Sequence, residues 1–93
     1  MRCKVPEFVV ERDIPGFTAD DLREAARRAR VVATEMTGEG TPVRYHRSIF
    51  LPDEAKCFCI FDGPTSDDVR ELNERAKLPV TRIHDAVEIE LPD

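Results

Sequence analysis

The sequence predicts an α+β protein in which a four-stranded antiparallel sheet carries two helices on one face. Residues 8–10 (FVV) and 56–61 (KCFCIF) show no polar alternation, which is typical of central strands covered on both faces. Two further segments repeat apolar residues at helical spacing. The remaining two alternate apolar and polar residues, as edge strands do.

The chain length allows one domain, spanning residues 1–93. A chain of this size buries only about two thirds of its unfolded surface, so its stability is marginal unless a partner adds buried area. A four-stranded sheet with helices on one side leaves its other face bare. Central strands that are apolar on both faces therefore predict a homodimer.

Charge and composition exclude several classes of partner. The formal net charge of −5 opposes binding to nucleic acid, which needs a basic surface. No apolar run approaches the ~18 residues of a membrane span, and the amino terminus lacks the apolar region of a secretory signal. Three cysteines cannot all pair within one chain. We therefore expect a cytoplasmic protein with reduced thiols.

The first strand is expected over residues 5–12 and ends before Pro15, which cannot donate a ladder hydrogen bond. Thr18 is well placed to cap the first helix, with acidic residues in its first turn. The buried stripe of this helix is mostly alanine, which allows close packing on a sheet. Gly38 and Gly40 are expected to end it.

The second strand, residues 43–51, alternates loosely and turns over residues 52–55 into the third strand. An even loop predicts three facing pairs, which share one side of the sheet: Phe50 with Cys57, Ser48 with Cys59, and His46 with Phe61. The residues expected on the other side are Tyr45, Arg47, Ile49, Phe58, Ile60 and Asp62.

Thr65 or Ser66 is expected to cap a second helix, which Pro79 closes. A half-buried edge strand follows over residues 82–91, with Val87 among its alternating apolar positions. The order strand, helix, strand, strand, helix, strand is the ferredoxin-like βαββαβ arrangement, with the first and third strands central. The two runs without alternation are these same two strands.

Several short motifs resemble a family of small bacterial proteins that is catalogued as a domain of unknown function and has relatives called nickel-binding proteins. They are Val10-Glu11-Arg12 with Pro15-Gly16, then Ser48, Cys59, Leu78-Pro79 and Arg82-Ile83. The resemblance implies a ferredoxin-like fold, a sheet-to-sheet dimeric α/β barrel and divalent metal binding. Many members have Arg-Glu-His-Ala where this chain has Arg70-Glu71-Leu72-Asn73, so that histidine is missing here.

Four residues are candidate metal ligands. Cys57 and Cys59 lie about 7 Å apart on one face of a strand, and His46 is expected on the same face. His84 is the second imidazole of the chain, on the opposite edge strand. Nickel and zinc both accept such ligands. Simple packing of buried thiols and surface histidines is the alternative interpretation.

Glu11, Arg12 and Ser48 are candidate ligand-binding residues. Glu11 and Arg12 end the first strand near the centre of the sheet, where a charge pair either binds a ligand or orders the following turn. Phosphate loops, nucleophile elbows and helical histidine pairs are absent from the sequence, so it identifies no catalytic residue.

These observations favour a homodimer that binds a small ligand or a divalent, nickel-like metal between its sheets. The first alternative is a small cofactor-independent enzyme of the dimeric α/β barrel type, such as a monooxygenase or isomerase, acting on a hydrophobic substrate in the same cavity. His46 is the residue that would transfer protons in it. The second alternative is a structural or regulatory protein that uses its exposed helix faces.

Overall fold

A computed structural model describes residues 5–92 of the chain. The elements in order are β1 (Glu7–Asp13), α1 (Ala19–Gly38), β2 (Arg44–Leu51), β3 (Lys56–Asp62), α2 (Ser66–Arg75) and β4 (Arg82–Ala86), with a short 3₁₀ turn at Pro52–Glu54. This order confirms the predicted ferredoxin-like arrangement. The amino-terminal residues 1–4, which include Cys3 and bear on the expected absence of a secretory signal, lie outside the described part.

The four strands form one sheet in the order β2-β3-β1-β4, and every neighbouring pair is antiparallel. The first and third strands are central, as their apolar runs predict. Both helices lie on one side of this sheet, and the core fills the space between the two layers. We call this side of the sheet the helix face and the other side the open face.

The β2–β3 hairpin confirms two of the three predicted pairs, because Phe50 faces Cys57 and Ser48 faces Cys59. The third pair is wrong. Tyr45 faces Phe61, and His46 is the extra residue of a β-bulge between Tyr45 and Arg47. The bulge brings Tyr45 onto the helix face, where its ring lies edge-on to Phe61 with centroids 5.4 Å apart.

Both helices begin at capping residues. Thr18 accepts a hydrogen bond from the Asp21 amide while the Asp21 carboxylate accepts one from the Thr18 amide, so a complete capping box starts α1. Thr65 caps α2 by accepting from the Asp68 amide. The predicted end of α1 is also confirmed, since the helix stops at Gly38. Neither helix in the described range is long and apolar enough to cross a membrane.

The central strands are buried on one face only within a single chain. In β3 the buried residues are Cys57, Cys59 and Phe61, whereas the residues between them are partly exposed. The same alternation runs along β1. Helices cover the helix face, whereas the residues that these two strands place on the open face stay partly exposed in the single chain.

The last strand is shorter than predicted. It ends at Ala86, which faces Glu7, the first residue of β1, so the chain beyond Ala86 has no opposing residue in that strand. Residues 87–92 form no regular element, and the prediction of a strand to residue 91 is wrong. Val87, Ile89 and Leu91 are 83%, 79% and 85% exposed.

Candidate functional site

The sheet separates residues that the sequence places side by side. Successive residues of a strand point to opposite faces, so Glu11 lies on the open face and Arg12 on the helix face. The candidate residues therefore form two separate clusters, one on each side of the sheet.

The helix-face cluster is centred on Arg12, which is only 3% exposed. Its Nη2 donates to Asn73 Oδ1 over 2.6 Å, and its Nη1 donates to the Pro79 carbonyl over 2.7 Å. Its Nε lies 3.4 Å from Cys59 Sγ. No carboxylate in residues 5–92 forms an ion pair with this guanidinium. The buried cation is therefore held by an amide, a carbonyl and a thiol.

A chain of polar contacts continues from Cys59 to the sheet edge. Ser48 Oγ lies 3.0 Å from Cys59 Sγ and 2.7 Å from the Tyr45 hydroxyl. Cys57 Sγ lies 3.8 Å from Cys59 Sγ on the other side. Asn73 and Cys59 thus contact different nitrogens of Arg12, and Ser48 connects the cluster to edge strand β2.

The two thiols differ in acidity. The pKa of Cys59 is lowered to about 5, first by the hydrogen bond from Cys57 and then by the charge of Arg12 and the hydrogen bond with Ser48, against the opposing effect of burial. The pKa of Cys57 is raised by its hydrogen bond to Cys59 and by burial. Burial also raises the pKa of Tyr45. Cys59, which contacts the Arg12 guanidinium, is therefore the more acidic thiol of the pair.

A cleft between α1 and β2 reaches this cluster from solvent. Its volume is about 430 Å³, and Ser48 and Cys57 form part of its floor. Arg23, Arg30 and Arg47 also line it, which gives it a positive rim. We call it the α1/β2 cleft.

The open-face cluster is centred on Glu11. Its carboxylate accepts hydrogen bonds from His84 Nε2 at 2.9 Å and from Lys56 Nζ at 3.0 Å. Lys56 also donates to Asp13 at 2.7 Å, and Asp13 accepts from the Thr81 hydroxyl. The hydrogen bonds from His84 and Lys56 lower the pKa of Glu11, and those from Lys56 and Thr81 lower the pKa of Asp13. Glu11 is thus ionised and half-buried beside an imidazole.

The bulged His46 forms a second imidazole–carboxylate pair, with its Nε2 2.8 Å from Asp62 Oδ2. A shallow cleft of about 340 Å³ beside this pair is lined by apolar and charged side chains, among them Val9, Ile60 and Val87. The open face therefore carries two such pairs, with apolar residues of the central strands between them.

The candidate metal ligands do not converge on one point. Cys57 and Cys59 lie on the helix face of the sheet, whereas His84 lies on the open face. His46 is on the bulge and pairs with Asp62 instead of joining the thiols. Within residues 5–92, no group of three or more His, Cys, Asp and Glu side chains is arranged to hold a metal ion.

Sequence reasoning missed several members of both clusters. Asn73 falls on the apolar stripe of α2, and a buried amide in such a stripe signals a polar partner across the interface. The predicted face of Tyr45 is wrong, because the bulge places its ring on the helix face. Lys56 and Asp62 are not among the predicted site residues, and no sequence signal shows that they pair with Glu11 and His46.

Known proteins resemble this chain in its sequence and in its fold. A search of curated proteins found no match. Among solved structures, the crystal structure of SCO4226 from Streptomyces coelicolor A3(2) matches with a TM-score of 0.77 and 22% identity, covering 90% of this chain and 99% of that chain. The likeness shows a shared fold. The family model described as "Nickel responsive protein SCO4226-like" matches residues 8–85, which is most of the chain. The chain therefore belongs to the SCO4226-like family.

Proposed function

We propose that this protein is a homodimer that binds a divalent metal ion between the open faces of two sheets, with nickel as the first candidate and zinc as the second. The observation that carries the proposal is the Glu11–His84 pair, an ionised carboxylate beside an imidazole on a face that no described element of the chain covers. The description of the family as nickel responsive supports the choice of metal.

The donor set fits a shared site better than a site within one chain. Glu11 and His84 supply one oxygen and one nitrogen donor. A second copy supplies the same two, which makes four donors of types that nickel and zinc accept. Cys57 and Cys59 take no part in this site, because they lie on the other side of the sheet.

The open face has the character of an interface. It presents partly exposed apolar residues from the central and edge strands, including Val9, Ile49, Phe58 and Ile60. Burying such a surface against a second copy adds stability that a chain of this length needs. The unpaired thiols Cys57 and Cys59 support a cytoplasmic location, where thiols stay reduced. Action as an enzyme on a hydrophobic substrate remains a prediction from the sequence alone.

Native mass spectrometry and titration calorimetry with nickel and zinc test the proposal on protein purified without a chelator or affinity tag. We expect a dimer that binds metal, and we expect His84→Ala or Glu11→Gln to weaken binding by more than about tenfold, since each removes a donor. His46→Ala is the matched control, because it removes the other imidazole of the open face and should leave the affinity unchanged.

Two results would contradict the proposal. A monomer at micromolar concentration would remove the shared interface. Loss of metal binding in His46→Ala, with normal binding in His84→Ala, would move the site to the bulge and reject the Glu11–His84 assignment.

A further inference from the structure

Arg12 carries a charge that the protein core must neutralise. A guanidinium stays protonated at any pH at which a protein is folded, and an unpaired buried charge costs several kcal/mol. Arg12 is 3% exposed, and its oxygen partners are the neutral groups of Asn73 and Pro79. The remaining contact is Cys59 Sγ, which is the one acidic group in contact with this side chain among the described residues.

Cys59 is surrounded by groups that can donate hydrogen bonds to a thiolate. Arg12 Nε approaches Sγ from β1, and the Ser48 hydroxyl approaches from β2. The Cys57 thiol approaches along the same strand and can donate its proton to the sulfur. A negative sulfur therefore meets three donors and one full positive charge.

The cluster can be reached from solvent at the sheet edge. Cys59 is itself covered, but Ser48 and Cys57, which touch its sulfur, form part of the floor of the α1/β2 cleft. A small uncharged molecule in the cleft is thus one side chain away from Cys59 Sγ. A negatively charged Cys59 sulfur is therefore close to a cleft through which a small molecule can enter from solvent.

We propose that Arg12 holds Cys59 as a thiolate and that this thiolate is a modification site for hydroperoxides that enter through the α1/β2 cleft. With hydrogen peroxide, Sγ attacks one peroxide oxygen, an S–O bond forms and the O–O bond breaks. Sulfur is oxidised to sulfenic acid, and the departing oxygen is reduced and leaves as water after taking a proton from solvent. Cys57 lies two positions along the same strand, where a disulfide would distort the sheet, so sulfenic acid is the expected product.

Few titratable groups face the sulfur. They are Arg12 from β1, Cys57 from β3 and Tyr45 from β2 through Ser48, with Arg30 of α1 near the tyrosine. The side chain that α2 contributes, Asn73, does not titrate. The ionisation of Cys59 therefore reports on its contacts with Cys57, Arg12 and Ser48.

The test uses the full chain with Cys3→Ser, so that Cys57 and Cys59 are the remaining thiols. Hydrogen peroxide is added at a series of pH values, the reaction is stopped with catalase, and sulfenic acid is labelled with dimedone at one common pH. Peptide mapping then locates the label. We expect it on Cys59, with a rate that changes less than about twofold between pH 6 and 8. An ordinary thiol with a pKa near 8.5 would react roughly 75-fold faster at pH 8 than at pH 6.

Variants separate the roles of the neighbours. Cys59→Ser should abolish the label, whereas Cys57→Ser should retain it. Arg12→Gln should give a steeper pH dependence than the parent, because it removes the positive charge beside the sulfur. Should that variant fail to fold, thiolate absorbance near 240 nm in the parent protein, minus that of Cys59→Ser, still measures the ionisation, which we expect to disappear only near pH 5.

Three results would overturn the proposal. The first is a native protein in which peroxide leaves Cys59 unlabelled. The second is labelling of Cys57 in place of Cys59. The third is labelling of Cys59 with the steep pH dependence of an ordinary thiol, which would show that Arg12 does not hold it ionised.

Discussion

Asn73 is the residue through which α2 is fixed to the buried cation. Its Oδ1 accepts from Arg12, and its Nδ2 donates to the Val69 carbonyl one turn earlier over 2.7 Å. The side chain is fully buried, so no water can replace either partner at the surface. The amide thus orients the guanidinium towards Cys59.

Replacing Asn73 by alanine leaves a buried N–H of Arg12 without an acceptor. We expect Asn73→Ala to lower the free energy of unfolding by about 3 kcal/mol, because hydrogen bonds to buried charges are the costly ones to lose. Urea denaturation measures this. Glu74→Ala, an exposed neighbour in the same helix, should stay within about 0.5 kcal/mol of the parent. Equal effects of the two substitutions would show that the buried amide adds little.

The burial of Arg12 could not be predicted from the sequence. A charged residue at the end of a strand reads as exposed, and the groups that bind it are distant in the chain. Cys59 and Ser48 were placed together correctly, since hairpin register follows from the loop. Their connection to Arg12 depends on tertiary packing, which carries no local signal.

At the scale of the elements, α1 relies on its first turn as well as on its buried face. The capping box of Thr18 and Asp21 satisfies two amides that have no partner within the helix. Acidic side chains in the same turn also stabilise the helix, because they lie at the positive end of its dipole.

Thr18→Ala should therefore destabilise the protein by about 1 kcal/mol, measured as a lower midpoint in urea. Thr34→Ala is the matched control, because Thr34 is an exposed residue within the same helix and alanine is a better helix former. It should have no effect or raise the midpoint slightly. A loss of stability as large for Thr34→Ala as for Thr18→Ala would contradict the capping argument.

Element order and strand position were predictable, whereas the bulge and the last strand were not. Central strands lose their alternation, which identifies β1 and β3 directly from the sequence. A bulge adds one residue inside an alternating strand, and nothing in residues 44–51 distinguishes it from a regular ladder. Val87 and Ile89 continue the alternation of β4, but β1 offers no residue opposite them.

At the scale of the whole molecule, both the sheet layer and the helix layer expose an apolar side chain to solvent. Ile49 on the open face is 48% exposed, and Val31 on α1 is 56% exposed. The proposed dimer covers the first and leaves the second in water. A charge placed at each position therefore distinguishes an interface from a free surface.

Ile49→Lys should raise the dimer dissociation constant by more than about tenfold, because the ammonium would lose its water at the interface. Val31→Lys should leave the constant unchanged. Sedimentation of both variants over a range of concentrations gives the comparison. Both should keep the stability of the monomer, since each side chain is well exposed in the single chain. Dissociation by Val31→Lys alone would place the interface on the helices.

The partners of Arg12 are 47, 61 and 67 residues away along the chain. Contacts at such separations form only after both halves of the chain have met, and this requirement slows the folding of sheet-rich proteins. We therefore expect the guanidinium to stay hydrated through early collapse and to lose its water when Asn73 of α2 reaches it. Dehydration of this arginine would then be a late event, in which the first strand meets residues of β3, α2 and the segment after α2.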